Sequence, residues 1–434
     1  MRKVLGNTAE GFLKKNSVLI VILAILIMAG CFGSAKILYL VAALLACCIL
    51  RQDVEYGICW SFFLIPNIRI FDETGLTFFV NIFMVLPVIK CMLSMLKKKR
   101  IPKLMLAFVA VFLVEFIHVM LMNTWGTLTS EISWMLGFVL CVYVSLDPKY
   151  HIKREEVYDA LTCGIFFSTI LYLVTNTAYR ADLIGQIVDG NRFSAFADDP
   201  NFFSLYILLC MASWINLRDR NVYRILSFPG LMAVGILTAS KMEMILTGFI
   251  LMHYMLFLLL SEKIGKKTKK YMAAVFILII LIAFGMHNVV GTLFQHFLDR
   301  LGGNSATLAS MTTGRSTIQE NYLQILDQNM LTLFFGAGFN YHLFLGEATG
   351  HGAHNTYLDF VLAWGITGTL LFMGSMIGWI RAYLRRCSIK KITYYNIFPA
   401  MIVMIICMAL SCLSASMFPF ILFMMIMQLD NSKE

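Results

Sequence analysis

The chain has 434 residues, 59% hydrophobic and 14% charged, with 35 Lys and Arg against 25 Asp and Glu for a formal net charge of +10. An apolar share this far above that of an ordinary globular domain excludes a water-soluble protein and reads as an integral membrane protein. Apolar stretches of about 17 to 25 residues, each able to cross roughly 30 Å of hydrocarbon as a helix, recur from end to end, which excludes a single anchor.

Apolar runs between polar breaks predict helical spans near 17–34, 37–50, 55–67, 76–96, 103–122, 131–146 and 156–176. They continue near 200–217, 222–239, 241–260, 271–291, 354–380, 394–411 and 414–428. The runs at 37–50 and 414–428 are short enough to be half-spans, so the expected fold is all-α and polytopic with about 12 to 14 crossings. The first span runs into IMAGC, which would fit a lipid-attachment site at Cys31, but more membrane follows it rather than a secreted domain. The eleven cysteines lie in or beside the spans without a C-x-x-C pair, as small apolar residues rather than a disulfide framework or zinc site.

Assigning alternate loops to the two sides sorts the basic residues sharply. All but seven of the 35 Lys and Arg, including the KKKR run at 97–100 and the cluster from Arg381 to Lys391, fall on one side. The positive-inside rule makes that side, with both termini, cytoplasmic. The net charge is then a topological signal beside anionic lipid rather than a nucleic-acid footprint. The seven exceptions are Lys36, Arg69, Arg180, Arg192, Lys241, Arg300 and Arg315.

Two outer loops are long, about 177–199 and 292–353, and long loops in a compact fold tend to carry function. Within the second, Ile318, Tyr322, Ile325 and Leu326 recur at helical spacing between Glu320, Gln324 and Asp327, which predicts an amphipathic helix on the outer surface. No internal repeat or low-complexity segment is visible.

Four outward-facing helix starts stand out. Arg192 precedes a start marked by Asp199 as N-cap and Pro200 at the first helical position. Ser240 and Glu243 have capping-box spacing around Lys241, and Ser316 with Gln319 repeats it after Arg315. His354 and Asn355 open the span that follows. Helix starts offer N–H groups and the positive end of a dipole, so Arg192, Lys241 and Arg315 beside them would make a pocket for an anion, a diphosphate above all. Each of the three could instead be a solvated, snorkelling or helix-orienting residue. Asp198 and Asp199 could share a cation, although capping accounts for one of them. An imidazole at a span entrance can take a hydroxyl proton near neutral pH, which singles out His354 over His342 and His351 in the same loop. Glu115 and His118 share a face inside a span and are either a functional pair or simply each other's hydrogen-bond partner.

Arg192 leading to D-P-N at 199–201, Ser240-Lys241 at a span head, Gly314-Arg315 in a long outer loop, GAG at 336–338, HNTYLDF at 354–360 and G-I-T-G at 365–368 together resemble the O-antigen ligase and polymerase superfamily. The likeness covers residues 190 to 370; upstream only the pattern of spans agrees. It implies a membrane-embedded glycosyltransferase of GT-C-like architecture, inverting and metal-independent, without a cofactor. The implied partners are an undecaprenyl-diphosphate-linked glycan donor, a glycan acceptor and a chain-length regulator, met at the outer face of a bacterial cytoplasmic membrane. Carried over by motif, Arg192, Lys241 and Arg315 would hold the donor diphosphate and His354 would sit at the acceptor, surrounded by Asn355, Tyr357, Asp199, Asn201 and His351. The family commonly has arginine where this chain has Lys241, and lysine keeps the charge but loses the planar fork.

The expected activity is polymerisation of lipid-linked repeat units into a capsule, exopolysaccharide or O-antigen. A ligase differs only in acceptor. A transporter or flippase would use the outer cations as an entry site and Glu115 with His118 as a proton relay, and a scaffold in a biosynthetic complex would need none of these side chains.

Overall fold

The computed structural model of the chain describes residues 11–75, 79–98, 102–122, 124, 128–197, 199–217, 221–260, 269–270, 287–300, 314–345, 352–389 and 392–430, with isolated residues between 273 and 285. Among them every regular element is helical and there is no strand. The first half contains α1 (Phe12–Phe32), α2 (Lys36–Arg51), α3 (Val54–Leu64), α4 (Phe79–Val85), α5 (Pro87–Lys98), α6 (Lys103–Met122), α7 (Leu128–Leu146) and α8 (Arg154–Thr175). Next come the short α9 (Thr177–Ala181) and α10 (Leu183–Val188), then α11 (Pro200–Ser213), α12 (Val222–Leu237), α13 (Lys241–Leu260) and α14 (His287–Arg300). The remainder is α15 (Arg315–Gln328), α16 (Met330–Phe335), α17 (Tyr341–Leu345), α18 (Thr356–Arg386), α19 (Tyr394–Cys407) and α20 (Phe418–Met427).

Among the described residues five helical stretches are long and apolar enough to cross a membrane: α1, the run Phe79–Lys98 formed by α4 and α5, α6, α8 and α18. Shorter apolar helices cover Glu131–Leu146, Val222–Leu237, Tyr394–Cys407 and Phe418–Met427. Large apolar side chains such as Val18, Leu121 and Leu370 stand exposed on these helices, as they would toward hydrocarbon rather than water. The chain is a helical membrane protein.

Two helices organise the packing. α8 lies against α1, α3, α11 and α12, while α11 continues the layer to α13 and α19. α7 gathers α4, α5, α6, α18 and α20 into the other half. Its core is aromatic: Phe138 stacks on Phe108 at 4.7 Å and meets Trp134 edge-on at 4.5 Å. Between α8 and α12, Arg224 grips Asp159 with both prongs, at 2.9 and 2.7 Å, and both are buried.

The apolar runs at 103–122 and 241–260 match α6 and α13 end to end, but three expectations change. The run at 76–96 is divided, because Pro87 begins a new helix after Val85. The loops at 177–199 and 292–353 contain more than one helix, since the short helices α9, α10 and α16 start on side-chain caps, Asn176, Asp182 and Asn329. Averaged hydropathy does not register such caps. The run at 354–380 extends to Arg386 and is broken at Gly365, whose φ of 62° and ψ of −175° lie outside the helix.

That break explains the glycine motifs. The carbonyls of Leu362 and Ala363 accept from the N–H groups of Ala337 at 2.8 Å and Gly338 at 2.9 Å. A β-carbon on Gly365 would fall 2.2 Å from the Phe334 backbone, and one on Gly336 would fall 2.2 Å from the Ala363 carbonyl. Only hydrogen fits where two backbones cross this closely. Glu115 seals the crossing, taking the Phe339 N–H at 2.8 Å and the Trp364 indole N–H at 3.1 Å. Its two oxygens go to this backbone and indole rather than to His118, which sets aside the alternative that the two residues simply bond each other.

Candidate functional site

The segment before α11 is pinned first. The Tyr179 hydroxyl donates to the Asn191 carbonyl at 2.8 Å, the Phe193 ring is buried between Tyr172 and Tyr179, and the Ser168 hydroxyl accepts from the Phe196 N–H at 3.0 Å. Arg192 is thereby aimed at the neighbouring helix starts. Its Nη2 donates to Asn201 Oδ1 at 2.8 Å and its Nε to the Thr238 carbonyl at 3.3 Å. Asp199 caps α11 as expected, accepting from the Asn201 N–H at 2.6 Å ahead of Pro200.

The turn from α12 to α13 closes on the same asparagine. The Ser240 hydroxyl donates to Asn201 Oδ1 at 3.3 Å, and the Ser204 hydroxyl bonds the Thr238 hydroxyl at 3.0 Å. Lys241 follows as the first, half-buried residue of α13. The expected capping box does not form. Thr238 Oγ1 already takes the Ser240 N–H at 3.2 Å, which leaves Glu243 to accept from Thr247 at 2.7 Å, buried one turn below. The second box fails for another reason: α15 starts at Arg315 behind Gly314, whose φ of 79° is left-handed, so Ser316 lies inside the first turn.

Arg315 reaches across to the turn after α19, where its Nη1 donates to the Ala409 carbonyl at 2.7 Å. Burial pulls its guanidinium below the ordinary arginine value, and the Asp199 carboxylate acts against that shift. Arg315, Asn201, Ser204, Ser240, Met242 and Ala409 line a cavity of about 10 Å³, room for one water.

His354 stands beside this cluster. The next carbonyl along the same turn, that of Leu410, accepts from the Thr356 hydroxyl, which in turn accepts from the Cys412 N–H at 2.9 Å. Consecutive carbonyls therefore hold Arg315 and the start of α18. Asn355 caps α18 through the N–H groups of Tyr357 and Leu358, and His354 sits before it at a left-handed φ of 51°. For a non-glycine residue that conformation costs on the order of 1–2 kcal/mol. It is imposed from below: the Tyr341 hydroxyl donates to Asp359 Oδ1 at 2.5 Å and accepts the Ala353 N–H at 2.7 Å, and Ser411 adds a bond to the same carboxylate at 3.2 Å.

The arrangement thus brings Arg192, Asp199, Asn201 and Arg315 together, with Lys241 at the adjoining helix start and His354 with Asn355 on the neighbouring turn. Tyr357 turns aside, its exposed side chain donating to the Met404 carbonyl at 2.9 Å. His351 and Asp198 lie outside the described residues. Among the described residues no three His, Cys, Asp or Glu side chains gather closely enough to share a metal ion. Chemically the cluster offers guanidinium and ammonium groups to an anion and an imidazole to a proton.

No family model and no curated protein matches the chain.

The residues that sequence reasoning missed are Thr238, Tyr341, Ser411 and the positioning part of Asp359. Asp359 stands in the HNTYLDF stretch, one helical turn after Asn355, and an acidic residue there among apolar neighbours was the available signal. Tyr341 carries no local mark, because its partners lie 12 and 18 residues away.

The amphipathic helix forms as α15, with Tyr322 and Leu326 buried and Ile318 and Ile325 half-buried. It packs inward: Tyr322 meets Tyr341 edge-on at 5.3 Å, so the face assigned to a surface supports the tyrosine beneath His354.

Proposed function

We propose that the chain is a membrane-embedded, inverting glycosyltransferase that polymerises polyprenyl-diphosphate-linked oligosaccharides into a surface polysaccharide. The reading includes a GT-C-like architecture with 12 to 14 crossings, cytoplasmic termini and a site open to the outer face. One observation carries it: the starts of α11, α13 and α15 converge with Arg192, Lys241 and Arg315 at the same end of the bundle as His354.

In this reaction an acceptor hydroxyl attacks the anomeric carbon of the donor sugar as the bond from that carbon to the diphosphate oxygen breaks. His354 takes the hydroxyl proton, and the diphosphate leaves toward the cations and the helix starts. The leaving group carries its own activation, so the step needs no nucleotide and no covalent intermediate. The strained backbone at His354 fits a group whose position matters more than its comfort. The water-sized cavity is too small for a diphosphate, so the donor engages the rim of the cluster or parts Arg315 from the α12–α13 turn.

Purified protein given defined lipid-linked repeat units should produce a ladder of longer glycans. His354→Ala should slow it by about 10²–10⁴-fold, the range for losing a general base. A full-rate ladder from that variant removes the histidine from the mechanism, and no ladder from the unaltered chain removes the activity.

A further inference from the structure

A second cavity lies at the opposite end of the bundle, where α7 and α18 finish and α8 begins. It holds about 370 Å³, against the 300–1,000 Å³ typical of small-ligand pockets. Its lining is divided in character. Tyr383, Phe423 and Met427 supply an apolar wall, while His151, Lys153, Arg154 and Arg386 supply nitrogen.

Arg386 is the group that the fold holds most firmly. Its guanidinium donates to the carbonyls of Val144 at 3.0 Å, Ser145 and Tyr150. These neutral acceptors fix the fork in place without cancelling its charge. Arg154 is held by the Asp430 carbonyl at 3.2 Å and the Glu155 carboxylate at 3.6 Å. Lys153 is the N-cap of α8 and places no side-chain bond over the first-turn amides, so the positive end of that helix also borders the space. Glu155 and Asp430 are the acidic groups in the lining, and Glu156 behind it pairs with Lys153 at 3.7 Å, so Arg386 is the lining cation that rests on neutral carbonyls instead of a carboxylate.

We propose that this cavity binds a phosphate-bearing headgroup, the phosphate against Arg386, Lys153 and His151, and the apolar remainder against Phe423 and Met427. A basic pocket between helix ends beside an aromatic wall suits such an amphipathic anion. The source is an anionic lipid of the adjoining leaflet or a soluble phosphate ester. The proposal stands apart from the glycan reading, since it uses none of the residues around His354.

Cys387 lines the same cavity, half-exposed, and reports its occupancy. The full chain, reconstituted in nanodiscs, is alkylated with a thiol reagent and read peptide by peptide by mass spectrometry. One arm adds phosphatidylglycerol to a neutral bilayer; the other keeps the neutral bilayer and adds glycerol 3-phosphate. Alkylation of Cys387 is expected to slow about tenfold at roughly ten times the dissociation constant. Protection in the first arm alone assigns the site to lipid, protection in the second alone to a soluble ester, and protection in both to the shared headgroup.

Replacing Arg386 would confound binding with folding, because three carbonyls depend on it. His151→Gln with Lys153→Gln, both at exposed positions, leaves those bonds alone and should raise the ligand concentration needed by about tenfold. Three results overturn the proposal: no protection in either arm, unchanged protection in that double variant, or equal slowing at the exposed Cys47 of α2, which would mean general shielding by lipid.

Discussion

Two arginines in this molecule, Arg224 buried and Arg315 half-buried, are held in opposite ways. Arg224 meets Asp159 fork to fork between α8 and α12, so charge cancels charge inside the bundle. Arg315 gives its hydrogen bond to the neutral Ala409 carbonyl and has the Asp199 carboxylate near enough to be felt. An ion pair closed on itself fastens two helices; a guanidinium resting on a carbonyl keeps attraction to offer an arriving anion. The difference separates arginines that hold the fold from those that can serve a ligand, although both are drawn from the same composition.

Removing the two partners should pull stability and turnover apart. Asp159→Ala leaves a buried guanidinium without its carboxylate and should cost about 3–5 kcal/mol of stability, read from denaturant unfolding in detergent. Arg315→Ala should instead lower turnover of a lipid-linked donor about 10²–10³-fold, with a stability loss of about 1 kcal/mol. A stability loss from Arg315→Ala as large as that from Asp159→Ala would erase the distinction.

The smallest effect on turnover belongs to the support under His354. Tyr341→Phe leaves the Ala353 N–H and the Asp359 carboxylate short of a partner and should cost about 1–3 kcal/mol, with a fall in turnover as His354 loses its fixed approach. Burial, reinforced by the nearby Asp359 charge, holds the Tyr341 hydroxyl well above the usual tyrosine range. Because the folded value is raised, this group's contribution is complete below about pH 10 and declines as pH climbs beyond it. Unfolding midpoints measured across that alkaline range should therefore fall more steeply for the parent chain than for Tyr341→Phe.

Much of the helical layout was legible in the sequence, because burial in hydrocarbon and helix length are both one-dimensional properties. α6 and α13 could be read to the residue. What hydropathy could not show was backbone departing from the helix inside an apolar run: Gly365 in α18 changes direction without changing polarity. The candidate cations were legible because positive charge is cleared from one side of most membrane proteins, which turns Arg192, Lys241 and Arg315 into exceptions. The meeting of Arg192 and the Ser240 turn at Asn201 was not, since Thr238 takes the Ser240 N–H that the Ser240–Glu243 spacing assigns to a capping box. Tyr341 and Asp359 illustrate the same limit: each is ordinary in its own segment, and only the folded chain makes them a pair.

The crossing at Gly365 has a further effect on the stretch that carries His354. Ala337 and Gly338 are fastened to Leu362 and Ala363, which closes a ring of chain, and within that tie the Tyr341 hydroxyl holds Ala353 and Asp359. In polymer terms His354 rides on a small closed loop rather than on the whole excursion between α13 and α18. The entropy surrendered when a ligand stills it is set by that ring, which keeps the cost of ordering low.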